Sequence, residues 1–289
     1  MMKGEIYIVC GATASGKSDY AIKLAQSVNG VIINADSMQI YKEIPIITAQ
    51  PSEEQKKIVE HRLYGEISCI ENCSVKKWLD LAYIEIERCF LNGKTPILVG
   101  GTGMYIDALM GGLSQMPIIS EDIKSRVAIM SDGKSTDELR KILYSYIGEE
   151  ANLIQDRYRI VRELLVYFES GYSKKYWHNK SREPHYSIDQ FKVIYFDIER
   201  DKLYGKINDR VHQMIKNGAI EEVHNLLSSY SYDMLPLAIG IKELRAYISG
   251  VVILEEAIKE IQKRTRNYAK RQNTWFSNKV QKSCYKIFM

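Results

Sequence analysis

The 289-residue sequence has only five cysteines (Cys10, Cys69, Cys73, Cys89 and Cys284), an odd number scattered along the chain. That excludes a disulfide framework and is the usage of a cytoplasmic protein with reduced thiols. Cys69 and Cys73 are spaced as metal ligands sometimes are, but no second pair lies in reach, so ordinary thiols are expected. Long apolar runs are also missing. Stretches such as residues 6–10 fall far short of the ~20 residues that span a bilayer. The opening Met-Met-Lys-Gly-Glu carries an acid and leads straight into a strand-like run, so it does not read as a signal peptide. No internal repeat or low-complexity tract is present, and His61, His178, His185, His212 and His224 show neither triad nor ligand spacing. With 45% hydrophobic and 26% charged residues of mixed sign, the composition excludes a disordered chain.

What is present begins with an uneven distribution of charge. The net charge of +4 decides little, but residues 259–282 hold Lys259, Lys263, Arg264, Arg266, Lys270, Arg271, Lys279 and Lys282 against the single acid Glu260. A near-neutral body with a basic C-terminal segment points to a polyanionic partner. On a helix, Ile261, Thr265, Tyr268, Gln272 and Trp275 share one inward face, which leaves Lys263, Arg264, Arg266, Lys270 and Arg271 for phosphates.

Apolar patterning predicts strands at 5–10, 31–35, 96–99 and 192–196, with helices at 18–28 and 74–91 between the first three. Strand–helix alternation of this kind builds a parallel sheet covered by helices. Residues 117–185 lack strand signals, carry helical spacing at 136–146 and 153–169, and end in a polar, basic, aromatic loop at 173–184. Helices are expected from 200 to the end. The reading is an α/β core, residues 1–116 and 190–289, interrupted by a mostly helical insertion at 117–189.

Gly11-Ala12-Thr13-Ala14-Ser15-Gly16-Lys17-Ser18 matches G-x-x-x-x-G-K-[ST] in every position, after a strand and opening a helix, where the motif has to sit. Backbone N–H groups converge there on phosphate oxygens, and the helix N-terminus adds partial positive charge. Lys17 supplies a full charge and Ser18 a hydroxyl for Mg²⁺. The motif specifies a diphosphate or larger group and, alone, makes an ATP-using kinase the default. Two strands end in aspartate. Asp36 is followed by Ser37-Met38-Gln39, side chains suited to the edge of a planar heterocycle; a helix N-cap or a metal ligand are its other readings. Asp197 precedes a charged helix start and is expected to be an N-cap.

Six segments in order carry a resemblance: residues 11–18, then Asn34-Ala35-Asp36-Ser37-Met38-Gln39-Ile40-Tyr41, Gly100-Gly101-Thr102-Gly103-Met104-Tyr105, Arg210-Val211-His212-Gln213-Met214, Ile239-Gly240-Ile241-Lys242-Glu243-Leu244 and Thr265-Arg266-Asn267-Tyr268-Ala269-Lys270-Arg271-Gln272. From about residue 6 to 276 the chain resembles the tRNA dimethylallyltransferase (isopentenyl-tRNA transferase) family. The resemblance implies transfer of a dimethylallyl group from its diphosphate to N6 of the adenine just 3′ of a tRNA anticodon, with Mg²⁺. It implies Asp36 as general base, Ser37, Met38 and Gln39 against the flipped base, Thr102 beside base and donor, and Arg210 on the leaving diphosphate. Gly11, Thr13, Ala14, Ser15, Gly16, Lys17 and Ser18 would hold that diphosphate. Gln155-Asp156-Arg157-Tyr158-Arg159 resembles the family segment that touches the anticodon loop; Lys124 falls where the family more often has arginine. A cytoplasmic monomer without membrane contact is expected.

Three rivals are a nucleoside or nucleotide kinase, an isopentenyltransferase acting on free adenine nucleotide, and a catalytically silent RNA-binding protein. A small acceptor needs neither the insertion nor the basic C-terminus, and a silent protein needs neither an intact phosphate loop nor Asp36.

Overall fold

A computed structural model describes residues 4–180, 182–279 and 285–288; Lys282, Cys284 and the first three residues lie outside them. The chain divides into two compact units, Met1–Met110 with His185–Met289, and Gly111–Pro184.

The first unit is built on a strand of nearly unbroken apolar residues, β1 (Ile6–Gly11), buried on both faces as a central parallel strand must be. It runs through the phosphate-type loop into α1 (Lys17–Ser27), whose Ala21 and Ala25 lie flat on the sheet. Next come β2 (Gly30–Asn34), the short α2 (Pro45–Thr48) and α3 (Glu53–Ile58), and the two-residue β3 (His61–Arg62). Helix α4 (Val75–Leu91), capped by Ser74 accepting from Lys77 N–H, leads to β4 (Thr95–Gly100) and α5 (Gly103–Gly111).

In the second unit α6 (Glu121–Ser131) and α7 (Thr136–Ile147) pack on α8 (Arg157–Ser170) around Val127, Leu139, Leu143, Ile160 and Leu164. The short α9 (Lys174–His178) follows. Back in the first unit, β5 (Phe191–Asp197) precedes α10 (Arg200–Lys216), α11 (Ala219–Ser229), α12 (Ile241–Ile248), the 26-residue α13 (Leu254–Lys279) and β6 (Tyr285–Phe288).

All six strands are parallel, in the order β3-β2-β4-β1-β5-β6. The register pairs Cys10 with Gly100, Gly11 with Phe196 and Asn34 with Val99. The loops after β1, β2 and β4 therefore leave the sheet at one level, at the carboxyl ends where open parallel sheets bind ligands.

Four local expectations need correction. Asp197 is the last residue of β5, and Glu199 holds the N-cap position of α10. The C-terminus is not helical throughout, because residues 285–288 add an edge strand to β5. Helix α6 went unforeseen because only Val127 on it is buried, which leaves little periodicity to see. The helix expected from 153 starts at Arg157, since a 3₁₀ turn (Gly148–Leu153) comes first and Asp156 caps α8 by accepting from Arg159 N–H at 3.0 Å.

Candidate active site

Gly16 sits at φ 89°, a left-handed conformation only glycine adopts without cost, and it turns the chain straight into α1. Ala14 is left-handed as well, at φ 61°, a strained conformation for a residue with a Cβ. The loop so formed keeps Lys17 folded over it, with Nζ donating to Ala12 O at 3.1 Å. Burial lowers the Lys17 ammonium to about pKa 8; Asp36 pulls it back up and Arg210 pushes it further down. Arg210 reaches in from α10, donating to Thr13 Oγ1 at 2.9 Å and to Thr48 O at 3.2 Å. Its pKa too is drawn below the usual value by burial, against the attraction of Asp36. Ser15 Oγ is fully buried in the loop without a partner among the described residues, and Ser18 is exposed at the start of α1.

The second edge of the site is organised by Asn34, which is fully buried at the end of β2. Its amide donates to Asp36 O at 2.9 Å and Leu63 O at 3.0 Å, and its Oδ1 accepts from Asp36 N–H at 2.8 Å. Asp36 Oδ1 in turn accepts from Met38 N–H at 2.9 Å. One carboxylate oxygen is thus held by the backbone, and the other has no such bond to restrain it. Thr102 Oγ1 accepts from Ser37 N–H at 2.9 Å and is also bonded to the Tyr268 hydroxyl, which burial pushes well above the usual phenol range.

Part of the Gln39 amide is already engaged. Its amide N–H groups donate to Thr48 O at 2.9 Å and Ala49 O at 2.8 Å, so only Oε1 is left to meet a heterocycle. The helix that supplies those carbonyls, α2, is itself held by Glu222 from α11, whose two oxygens accept from Ile46 N–H at 2.7 Å and Ile47 N–H at 2.9 Å.

Lys17, Arg210, Asp36, Ser37, Met38, Gln39 and Tyr268 line one cavity of about 630 Å³. Thr102 stands just behind its wall, bonded to two lining residues. Ile47, Ile207, Val211, Met214, Ile239 and Ile261 give it an apolar side, and Lys206, one helical turn from Arg210 on α10, adds a cation. Asp197 is not among the lining residues. A cationic loop at one end and a partly free carboxylate at the other suit a reaction in which a phosphate-bearing group leaves as an acceptor gives up a proton. Among the described residues no cluster of three His, Cys, Asp or Glu side chains is placed to hold a metal ion, and Cys10, Cys69, Cys73 and Cys89 form no disulfide.

The basic residues of α13 divide. Arg271 lines the cavity with its guanidinium 5.7 Å from the Tyr268 ring centre, and Lys263 and Lys270 are exposed outside it. Arg264 also lines the cavity but pairs with Glu243, a buried carboxylate that accepts from Gly240 N–H at 3.0 Å. In the Gly111–Pro184 unit, Gln155, Asp156, Arg157, Tyr158 and Arg159 are all exposed around the start of α8. Asp156 is occupied as the cap and Arg157 binds the carbonyls of Ser131 and Lys134; Lys124 pairs with Glu121 at 2.5 Å. Asn34, Glu222, Glu243 and Lys206 were missed as site residues. Asn34 and Glu243 lie inside segments that carry the resemblance, Lys206 stands at i, i+4 spacing from Arg210 on one helix face, and Glu222 left no signal.

The family model for IPP transferase matches residues 39–279, and that for isopentenyl transferase matches residues 4–72. A tRNA dimethylallyltransferase of Rickettsia bellii is 40% identical over 97% of this chain and 90% of its own length. The crystal structure of a tRNA isopentenylpyrophosphate transferase from Bacillus halodurans is similar at 31% identity and TM-score 0.71, covering 99% of this chain and 91% of that one. A eukaryotic dimethylallyltransferase acting on tRNA is similar at 25% identity and TM-score 0.82, covering 99% of this chain and 74% of that one. With a match across nearly its whole length, the chain belongs to the IPP transferase family, that of the tRNA dimethylallyltransferases.

Proposed function

We propose that the protein transfers a dimethylallyl group from dimethylallyl diphosphate to N6 of the adenine 3′-adjacent to the anticodon in tRNA. The observation that carries this reading is the single cavity in which Lys17 and Arg210 face the phosphate loop while Asp36 faces the same space. The adenine nitrogen forms a bond to C1 of the donor as the C1–O bond breaks, and the electron pair leaves on the diphosphate oxygen. Lys17, Arg210 and the loop N–H groups neutralise the charge that gathers there. An exocyclic adenine amine becomes acidic only as the N–C bond forms, so a carboxylate can take the proton late; the second oxygen of Asp36 is free to do so. Thr102 and Ser37 fix the wall on which the base rests, Met38 and Gln39 Oε1 complete it, and the apolar side accepts the five-carbon chain. The adenine leaves its stack to enter, a cost of a few kcal/mol that an already single-stranded loop reduces.

The residues fit Mg²⁺ as an ion carried by the diphosphate: Ser18 offers one hard oxygen at the loop, and this metal keeps most of its other ligands as water and phosphate. When bound, the ion screens the leaving diphosphate. Lys263, Lys270 and Arg271, with the exposed residues 155–159 and Lys124, are assigned to tRNA. Among the described residues no helix is long and apolar enough to cross a membrane, and a tRNA substrate agrees with a cytoplasmic site of action.

The test is incubation with unmodified tRNA and dimethylallyl diphosphate, followed by weighing the digested nucleosides. The expected product is dimethylallyladenosine from the position 3′ of the anticodon. Modification of free adenine nucleotide without modification of tRNA would shift the acceptor class, and ATP turnover on a small acceptor would indicate a kinase.

A further inference from the structure

Gln272 is a polar residue on the inward face of α13, only 5% exposed, among Ala257, Ile261, Ala269 and Phe276. An amide buried this deeply is stabilising only when both of its ends are bonded, and both are. Its Oε1 accepts from Thr13 N–H at 2.9 Å, and its Nε2 donates to Gly101 O at 2.9 Å. The Gly100–Gly103 loop is cut to fit it: a Cβ on Gly101 would stand 2.1 Å from Gln272 Nε2. The amide is a strut between two loops that carry opposite halves of the site. On one side Thr13 Oγ1 holds the Arg210 guanidinium. On the other, the residue after Gly101 is Thr102, which holds Ser37 N–H and so the segment that carries Asp36. The Tyr268 hydroxyl touches both Thr102 and Gln272 and closes the circuit.

We infer that Gln272 is a positioning residue for prenyl transfer: it sets the separation between the diphosphate cradle at Thr13 and Arg210 and the acceptor wall at Thr102 and Asp36. The inference rests on the reading in the preceding subsection. Gln272 touches neither substrate; its effect falls on the alignment of the adenine nitrogen, C1 and the leaving oxygen, where a misplacement of about 1 Å costs about 10²-fold in rate. Losing the strut leaves each half able to bind its own ligand but no longer in line with the other.

The test compares Gln272→Ala and Gln272→Glu with the wild type by single-turnover transfer at saturating tRNA and donor. Binding of each substrate alone and thermal melting are measured beside it. Gln272→Ala should transfer about 10²-fold more slowly, with the separate affinities for dimethylallyl diphosphate and tRNA close to wild type. Gln272→Glu is nearly isosteric and keeps the acceptor for Thr13 N–H, but its carboxylate faces Gly101 O. Burial raises a carboxyl pKa, so the ratio of its rate to wild type should climb between about pH 8 and about pH 6 as the acid regains a proton to donate. Gly101→Ala should resemble Gln272→Ala, and the double variant should be no slower than Gly101→Ala, because one contact is lost in both.

A wild-type rate in Gln272→Ala, a loss confined to the affinity for one substrate, or a pH-independent ratio for Gln272→Glu would overturn the positioning role. If Gln272→Ala does not fold, the ratio for Gln272→Glu decides. The wild-type reaction in the same assay separates the two readings: its absence sinks the prenyl-transfer assignment, whereas equal transfer by wild type and Gln272→Ala sinks only the strut.

Discussion

The two units of the chain use their polar side chains in opposite ways. In the Gly111–Pro184 unit most of the polar residues picked out by motif bond close to home: Gln155 to Asn152 three positions away, Asp156 to Arg159, Lys124 to Glu121; Arg157 alone of the bonded ones reaches further, to Ser131 and Lys134. Their side chains stay exposed. In the sheet unit the bonds are long. Glu222 holds Ile46 across 176 positions, and Gln272 holds Thr13 across 259. Short-range bonds on a surface keep a helix end in shape and leave charge and ring faces available to a large partner. Long-range bonds in a part-buried site fix the distance between groups that must react. The first arrangement suits recognition, where many weak contacts add; the second suits chemistry, where one displaced group is felt at once.

If that division is right, the largest single effect lies in the sheet unit. Asp36→Asn keeps the acceptor for Met38 N–H and removes the base, so single-turnover transfer should fall by about 10²–10⁴ with tRNA affinity little changed. Recovery of the rate at raised Mg²⁺ would make Asp36 a metal ligand, since a weakened metal site can be refilled and an absent base cannot. Lys17→Ala and Arg210→Ala remove charge from the leaving diphosphate, and each should lower transfer by about 10²–10³ while tRNA still binds. Equal loss of tRNA in filter binding would make the residue structural.

Glu222→Ala should act through α2. It leaves the N–H groups of Ile46 and Ile47 without their acceptor, at about 1–3 kcal/mol for each if water does not replace it. The melting temperature should drop, and Gln39 and Arg210, both bonded to carbonyls at the end of α2, should lose their anchor. An unchanged melting curve would show that α2 holds itself.

In the other unit, and on the outer face of α13, single changes should be mild and additive. Neutralising Lys263, Lys270 or Arg159 should each reduce the log–log salt slope of tRNA binding by about 0.7 to 0.9, with dimethylallyl diphosphate binding little altered. A contact that leaves the slope untouched belongs to solvent.

The smallest effect is a titration. In the free protein Lys17 loses its proton above about pH 8, whereas a bound diphosphate favours the ammonium and raises that pKa. Donor binding should therefore weaken as pH rises above about 8 and take up a proton there. Calorimetry in buffers of different ionisation enthalpy reads the uptake, which Lys17→Ala should abolish.

What the sequence determined by itself was whatever consecutive residues build. Eight residues after a strand make the phosphate loop, because its N–H groups and helix terminus come from neighbours along the chain. Unbroken apolar runs made β1, β2, β4 and β5, and the 74–91 periodicity made α4. Three decisions belonged to the tertiary structure alone. Asp36 follows one apolar strand and Asp197 ends another; the cavity, walled by residues of α10 and α13, is lined by Asp36 and not by Asp197. Gln39 was assigned to a base by its type, yet both of its N–H groups hold Thr48 and Ala49. Arg264 was assigned to phosphate by its place on a basic helix, yet it pairs with Glu243 beneath. Gln272 was placed correctly on the inward face, but periodicity reports a direction and not a partner. A hydrogen bond that joins residues more than two hundred positions apart leaves no period in the sequence; it exists only once the sheet has brought both loops to one level.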